Sequence, residues 1–502
     1  MCLSSLKQSG LPRTLSTTFS ADSMGKLLSG FHTPTLSTRL RYLVIAVFSL
    51  TLGIWLHGTL ASVFAIHYLA FEAPEAPIPN QHVSPATLYD AIIVGGGPSG
   101  LSALSGLARM RRNVLMIDSG TYRNDPTRRM HDILGFDGVP PAYFRHIARA
   151  QIAHYNTATM VNGTVTAISP VSATLDRDED DSSSFPTDPT YPTYPTLFSV
   201  VAHLDLPSQK LENQTLYARK IILATGLRDI LPSTPGVAEA WGKGIFWCPW
   251  CDGHEYAHQP LGILAPLPKV PGLVREIHTL NGDMVAFVNG TDTPEQRAQA
   301  EAEHPGWAAY LASRNISVEN RPVARLVRLG GDEEAFKDEE WRQFDMLGLP
   351  SVAHRDRFRV EFSGDGDGYV ERAAFLANFP TEQASPVGPD MGVELVGGRM
   401  EVNNKEGLLT NVPGVYAVGD ANSDNVTNIP HALFSGKRAA VFLHMALEEE
   451  NEENEKRPNV MRSVEKMGLE STQGLVKRHE KLDVRDVWHL MNGEPESPLY
   501  AR

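Results

Sequence analysis

The chain has 502 residues, 42% hydrophobic and 21% charged, with a formal charge of −14 at pH 7. That composition is globular rather than disordered, the length predicts two or three domains, and the acidic balance offers no basic surface to a nucleic-acid backbone. The cysteines Cys2, Cys248 and Cys251 are too few for a secreted scaffold stapled by disulfides, so each is either chemical or incidental; Cys2, in a Ser/Thr-rich leader, reads as incidental.

A basic leader (1–42) precedes an uncharged apolar run over 43–71, LVIAVFSLTLGIWLHGTLASVFAIHYLAF. The run exceeds the roughly twenty residues that a helix needs to cross a bilayer, so one transmembrane helix is expected. Lys7, Arg13, Lys26, Arg39 and Arg41 precede it and Glu72 and Glu75 follow. The positive-inside rule then leaves the leader in the cytosol and the rest of the chain in the lumen of the secretory pathway. A cleaved signal peptide and a buried core helix are the alternatives, the first disfavoured by the length and late start of the run. Sequons at Asn162, Asn213, Asn289, Asn315 and Asn425 are compatible with a luminal body.

A Pro-rich spacer (72–87) leads into LYDAIIVGGGPSGLSALSGLARMRRNVLMIDSG, which reads as strand, glycine turn, amphipathic helix, strand, and opens a first domain over 88–231. Gly95, Gly97 and Gly100 form G-x-G-x-x-G: a tight turn, a backbone that a pyrophosphate can approach, and close packing of helix on strand. Asp118, about twenty residues on at the end of the next strand, is placed to accept from a ribose hydroxyl. The stretch 175–196, acidic and rich in Ser, Pro and Thr, is expected to be a disordered loop between two strands. Further on, ARKIILATGLRDILPSTPG (218–236) is a buried strand ending in Ala224-Thr225-Gly226, and GVYAVGDANSDNVTNIPHALFSGKRAA (414–440) is a strand ending in Gly419-Asp420 before a helix. That helix runs into an acidic tract, read as a solvated helix end, and then into a tail over 450–502 with no motif.

At these residues the chain resembles the two-dinucleotide flavoprotein disulfide reductases, over roughly residues 88 to 449 by motif spacing. The pair in CPWCDG, just after the ATG crossover, looks like that of low-molecular-weight thioredoxin reductases, a class of pyridine nucleotide-disulfide oxidoreductases. DSGTYRND, MHDILGFDG and CPWCDGHE look closest to the gliotoxin-type dithiol oxidases. The resemblance implies an α/β fold of two Rossmann-like three-layer domains after the membrane helix: an FAD domain in two parts, 88–231 and 373–449, and an inserted NAD(P)-like domain over 232–372. It also implies a possible homodimer. FAD contacts carry over to Gly95, to Gly97, Pro98, Ser99 and Gly100, to Asp118, Ser119, Gly120, Thr121, Tyr122 and Arg123, and to Gly226, Asp420 and Ile429. His131, Val165 and Asn428 carry over as well, each with a plainer alternative: a loop histidine, a core valine and a helix N-cap.

The insert departs from the family pattern. Where a second G-x-G-x-x-G should follow its first strand, PLGILAPLPKVPGLVREIHTL (260–280) places Ala265, Pro266, Leu267 and Pro268. Proline has no N–H for a phosphate, and side chains occupy the space of the missing glycines. After the next strand comes TDTPEQ rather than the arginines that an NADP 2′-phosphate needs. NADP binding is therefore doubtful, and electrons are expected to enter from a small-molecule dithiol through Cys248 and Cys251, with molecular oxygen as acceptor. Cys248, first in C-x-x-C at a helix start, is the expected exchange partner. The family pattern gives Cys251 to the flavin and the acid–base role to Asp252, with His254 ranked behind it. No metal is expected, because C-x-x-C-x-x-H-x-x-x-H is not a usual zinc spacing. A structural disulfide, an NADPH-dependent reductase and a flavin-binding scaffold without turnover are the alternatives.

Overall fold

The computed structural model describes residues 83–171, 197–206, 209–330, 354–363 and 368–456. The leader, the apolar run 43–71, the loop 175–196 and the tail from 457 lie outside the described residues. Among the described residues no helix is long and apolar enough to cross a membrane.

The first domain is built on strands β1 (Leu88–Val94), β2 (Val114–Asp118), β3 (Ala158–Val171), β4 (Leu197–Leu206) and β5 (Gln209–Leu223). Two long strands of this one sheet each pair in both senses. The start of β3 pairs parallel with β2 and its remainder antiparallel with β4. The start of β5 pairs with β4 and its end runs parallel to β1. Residues 175–196 thus fall between the antiparallel neighbours β3 and β4. All seven residues of β1 are buried, as a central parallel strand covered on both faces must be.

Helix α1 (Pro98–Arg109) carries Pro98 in its first turn, where a missing N–H costs nothing, and buries Leu101, Leu104 and Leu107 against the sheet. Each buried leucine contributes about 2 kcal/mol by area. Helix α2 (Pro141–Ile152) lies beyond the loop that follows β2.

The chain leaves this domain through β6 (Leu227–Asp229) and returns through β15 (Thr381–Gln383), paired antiparallel. Between them lies a parallel sheet, order β10-β9-β8-β14-β7, made of β7 (Ile245–Phe246), β8 (Leu261–Leu264), β9 (Met284–Phe287), β10 (Ser317–Glu319) and β14 (Ala374–Ala377). Helices α3 (Val270–Ile277), α4 (Pro294–Glu303) and α5 (Trp307–Ser313) accompany it. A separate antiparallel sheet joins β11 (Val323–Gly330), β12 (Arg357–Phe362) and β13 (Tyr369–Arg372). The expected boundary at 372 is too early: β14 belongs to the insert's sheet, so the first domain resumes at β15.

After a short hairpin of β16 (Leu395–Val396) and β17 (Arg399–Met400), β18 (Val415–Ala417) adds to β5 and completes the first sheet. The closing helix α6 (Ile429–Lys456) packs along α1, where Gly106 and Gly436 leave room for its backbone and for Ala440. The acidic tract is not a merely solvated end. Glu448 pairs with Arg112, and Glu450 pairs with Lys220 and with Arg219 at 3.0 Å, so the helix is tied to the sheet beyond the expected boundary at 449.

Candidate active site

A cavity of about 790 Å³ opens at the carboxyl ends of β1 and β5 and is walled by both domains. This is where ligands of open α/β sheets bind. Of the site residues expected from sequence, all line it except Gly100, Gly120, Cys248 and His254.

The glycine turn accounts for two of these positions. Gly95 has φ +107°, and a methyl there would strike the Ala224 carbonyl; a methyl on Gly100 would strike the Gly95 carbonyl. Gly100 therefore holds helix against strand rather than touching the cavity. Gly97 is different, since a methyl there would meet nothing within 4 Å. Its backbone is open to approach by a pyrophosphate at the start of α1. Gly226 is open in the same way, and the buried Thr225 hydroxyl beside it has no partner among the described residues. These features fit a bound dinucleotide.

Asp118 ends β2, buried, with its carboxylate already engaged: the Tyr122 hydroxyl donates to it at 2.6 Å, the Gly120 N–H at 3.1 Å, and Arg149 of α2 pairs with it. Gly120 thus shapes the acceptor without lining the cavity. Arg149 was not legible in the sequence, because nothing in α2 marks it.

Arg123 joins three pieces of chain. Its Nε and Nη2 donate to Asp229 at 2.9 and 2.7 Å, and its Nη1 donates to Asp420 at 2.9 Å. Burial opposes the charge, but the two carboxylates outweigh it and hold the guanidinium charged more firmly than usual. It also lies 5.2 Å from the centroid of the Trp247 ring, which stacks on Trp241 at 4.9 Å; both rings line the cavity. Asp229 follows the ATG crossover closely enough to have been found from that motif. The tryptophans carry no comparable signal.

Cys248 and Cys251 form a disulfide with Cα atoms 5.2 Å apart. Cys248 is the N-cap of a single helical turn, Pro249–Gly253, that contains Cys251, and the Cys248 carbonyl accepts the N–H groups of Cys251 and Asp252. One turn is a weaker dipole than the helix start expected from sequence. Cys251 lines the cavity, whereas Cys248 lies outside it beside the exposed Trp250.

Asp252 lines the cavity next to Cys251 and accepts from the Thr127 hydroxyl at 2.8 Å. Burial raises its pKa to about 7, and the nearby Glu255 adds to the rise; Thr127, His131 and Arg128 act against it. A carboxyl poised there can both take and give a proton at neutral pH. His254 is exposed and does not line the cavity, so the structure does not bring it to this carboxyl. His131 stands nearer, in the cavity wall. Val165 lines the cavity from β3 and is also part of the core, and Asn428 lines it while capping α6 by accepting from the His431 N–H at 2.8 Å. At both positions the two readings hold together.

Residues 89–267 match the pyridine nucleotide-disulphide oxidoreductase family. A protein of Arthroderma benhamiae named "Probable thioredoxin reductase" is 42% identical over 376 residues, which cover 74% of this chain and 83% of that one. The chain belongs to the thioredoxin reductase-like branch of this family. It is an FAD-binding disulfide oxidoreductase. Thioredoxin reductase tcpT of Claviceps purpurea is 30% identical over 362 residues, covering 70% of this chain and 92% of its own. The solved structure of HlmI aligns with a TM-score of 0.55 at 27% identity, over 76% of this chain and 99% of that one.

Against this family background, the second nucleotide turn is filled. Leu267 is fully buried, Ala265 and Pro268 are buried, and the Leu267 N–H donates to the Thr291 hydroxyl at 3.0 Å. After β9, Arg297 is engaged by Asp292, with its Nη2 2.8 Å from the carboxylate. Neither an open backbone nor an uncommitted guanidinium faces a phosphate at these two places.

Proposed function

We propose that this enzyme is a dithiol oxidase: it closes a disulfide in a small dithiol and delivers the electrons through FAD to molecular oxygen. The observation that carries the reading is the packed Ala265–Pro268 turn, in which two prolines offer no N–H and the Leu267 N–H is spent on Thr291. With that entry for a hydride donor closed, the thiol side is the remaining route for electrons.

The chemistry follows from the placement of the pair. One substrate thiol loses its proton to Asp252, and the thiolate attacks Cys248, the cysteine outside the cavity, forming a mixed disulfide and releasing Cys251 as a thiolate. The second substrate thiolate attacks the substrate sulfur of that bond, freeing the product disulfide and Cys248. Bound FAD would supply the two-electron acceptor that lets Cys248 and Cys251 close again to their disulfide, with oxygen as the final acceptor. In sum, one dithiol and one oxygen molecule give one disulfide and one hydrogen peroxide. Gly97, Arg123, Asp420 and Asn428 would hold and orient the cofactor, with Trp241 and Trp247 in the wall of the same cavity.

Dithiothreitol and a small natural-product dithiol should each drive oxygen uptake with matching peroxide. Flavin-loaded enzyme that consumes no oxygen would contradict the reading. The names of the relatives favour a second reading, an NADPH-dependent disulfide reductase, for which rapid flavin bleaching by NADPH is the signature. We further infer a membrane anchor over 43–71 and a luminal body, where a disulfide-forming activity suits the redox poise. Exposure of all five sequon asparagines supports this placement. A glycosidase-sensitive mobility shift of the natural protein tests it; the absence of any shift counts against it.

A further inference from the structure

The geometry points to a proton path from the active site to solvent, in which Glu255, His131 and Asp137 carry away the proton that Asp252 takes from the substrate. This inference rests on the dithiol-oxidase reading and adds three residues to it. His131 is held between two carboxylates: its Nε2 lies 3.4 Å from Glu255 and its Nδ1 lies 3.5 Å from Asp137. The row is graded in depth, with side-chain exposure of 3% at Glu255, 9% at His131 and 54% at Asp137. An imidazole that faces an inner carboxylate with one nitrogen and an outer carboxylate with the other can accept on the inner side and release on the outer.

The row comes to the reacting groups at the cavity wall, where His131 stands, and Glu255 follows Asp252 by three residues along the chain. Asp252 and His131 line the same cavity, and the charges of both His131 and Glu255 bear on Asp252. The other groups facing this carboxyl are already engaged. Thr127 donates to Asp252 itself, and Arg128 is bound by Asp356 at 2.8 and 3.0 Å, a carboxylate that also accepts from the Tyr256 hydroxyl at 2.6 Å. His354 meets the backbone of Glu255, its N–H donating to that carbonyl at 2.9 Å. The outer end is fixed by a loop closed at Met130 and Val139, whose N–H and carbonyl meet at 2.9 Å, and by the Asp132 N–H, which donates to Asp137 at 2.8 Å. His131 and Asp137 are thereby held across the loop from each other.

No electron moves along this row. A substrate thiol becomes a thiolate, Asp252 gains the proton, and the same proton passes through Glu255 and His131 to Asp137 and water, which resets Asp252 for the second thiol. The path predicts that His131 and Glu255 limit the rate at which dithiol reduces the flavin, without setting the affinity for dithiol.

The test is oxygen-free mixing of flavin-loaded enzyme with dithiothreitol, followed by flavin bleaching, for wild type, His131→Ala, His131→Gln and Glu255→Gln. His131→Ala should slow bleaching on the order of tenfold, with unchanged flavin content, and added imidazole should restore the rate. Glu255→Gln should slow it similarly with no response to imidazole. The proposal is overturned if both His131 variants bleach at the wild-type rate, or if they are slow and imidazole leaves them so. Wild-type enzyme that dithiothreitol cannot bleach overturns the oxidase reading instead, so the two failures are told apart.

Discussion

The two Rossmann turns of this chain, one after β1 and the other after β8, are filled in opposite ways. In the first, Gly95 and Gly100 bring backbone against backbone, and Gly97 leaves space beside the helix start. In the second, Leu267 and Pro268 put side chains into the core, and Thr291 takes the donor that a phosphate would use. Binding a pyrophosphate depends on what a turn leaves out, whereas packing a scaffold depends on what it puts in. On the proposed reading, the contrast explains how this chain keeps both domains while using one nucleotide.

The comparison can be broken most severely at the junction. Arg123→Ala leaves Asp229 and Asp420 without their shared cation and should cost about 3–5 kcal/mol, together with flavin retention, as read by denaturant melts and flavin content. An unchanged melt would show that the junction does not hold the two domains in register.

Next come paired substitutions in the two turns. Leu267→Ala should cost about 2–5 kcal/mol through the cavity it opens, yet leave flavin content and reduction by dithiol unchanged in the folded fraction. Gly100→Ala should cost about 1–3 kcal/mol through overpacking and also release flavin. If the consequences for flavin were the other way round, the roles assigned to the two turns would be wrong.

Asp252→Asn separates chemistry from scaffold. The raised pKa means that the folded protein holds a proton the unfolded chain gives up between the ordinary aspartate range and about 7. Stability from this group is therefore present at low pH and is lost as pH rises toward and through about 7. Activity runs the other way, because the base must be ionised, so the rate of flavin reduction should climb with pH to a plateau above about 7. Asparagine should remove both slopes and lower the rate about 100-fold. A variant that keeps the wild-type pH profile would place the base elsewhere.

Much of this was legible in the sequence where one residue type has one use. Three glycines after an apolar strand with Asp118 at the right spacing, a paired C-x-x-C after the ATG crossover and prolines in a phosphate turn exclude most alternatives when taken together. What escaped were residues whose meaning depends on distant partners. Thr127, Arg149 and Glu255 look like ordinary surface residues until the fold sets them against Asp252, Asp118 and His131. His254 misled for the converse reason: it is near Asp252 in sequence, but the short turn after the cysteines leaves it exposed. The boundary at 372 failed because β14, a strand of the insert, directly follows β13 with only Ala373 between them.

The direction of electron flow is the central claim, and one measurement addresses it directly: oxygen-free mixing of the flavin-loaded enzyme with NADPH in one syringe and with a dithiol in another. Rapid bleaching by the dithiol and none by NADPH is the predicted result. Rapid bleaching by NADPH would contradict the account, because it would mean that the turn closed by Leu267 and Pro268 still admits a hydride donor.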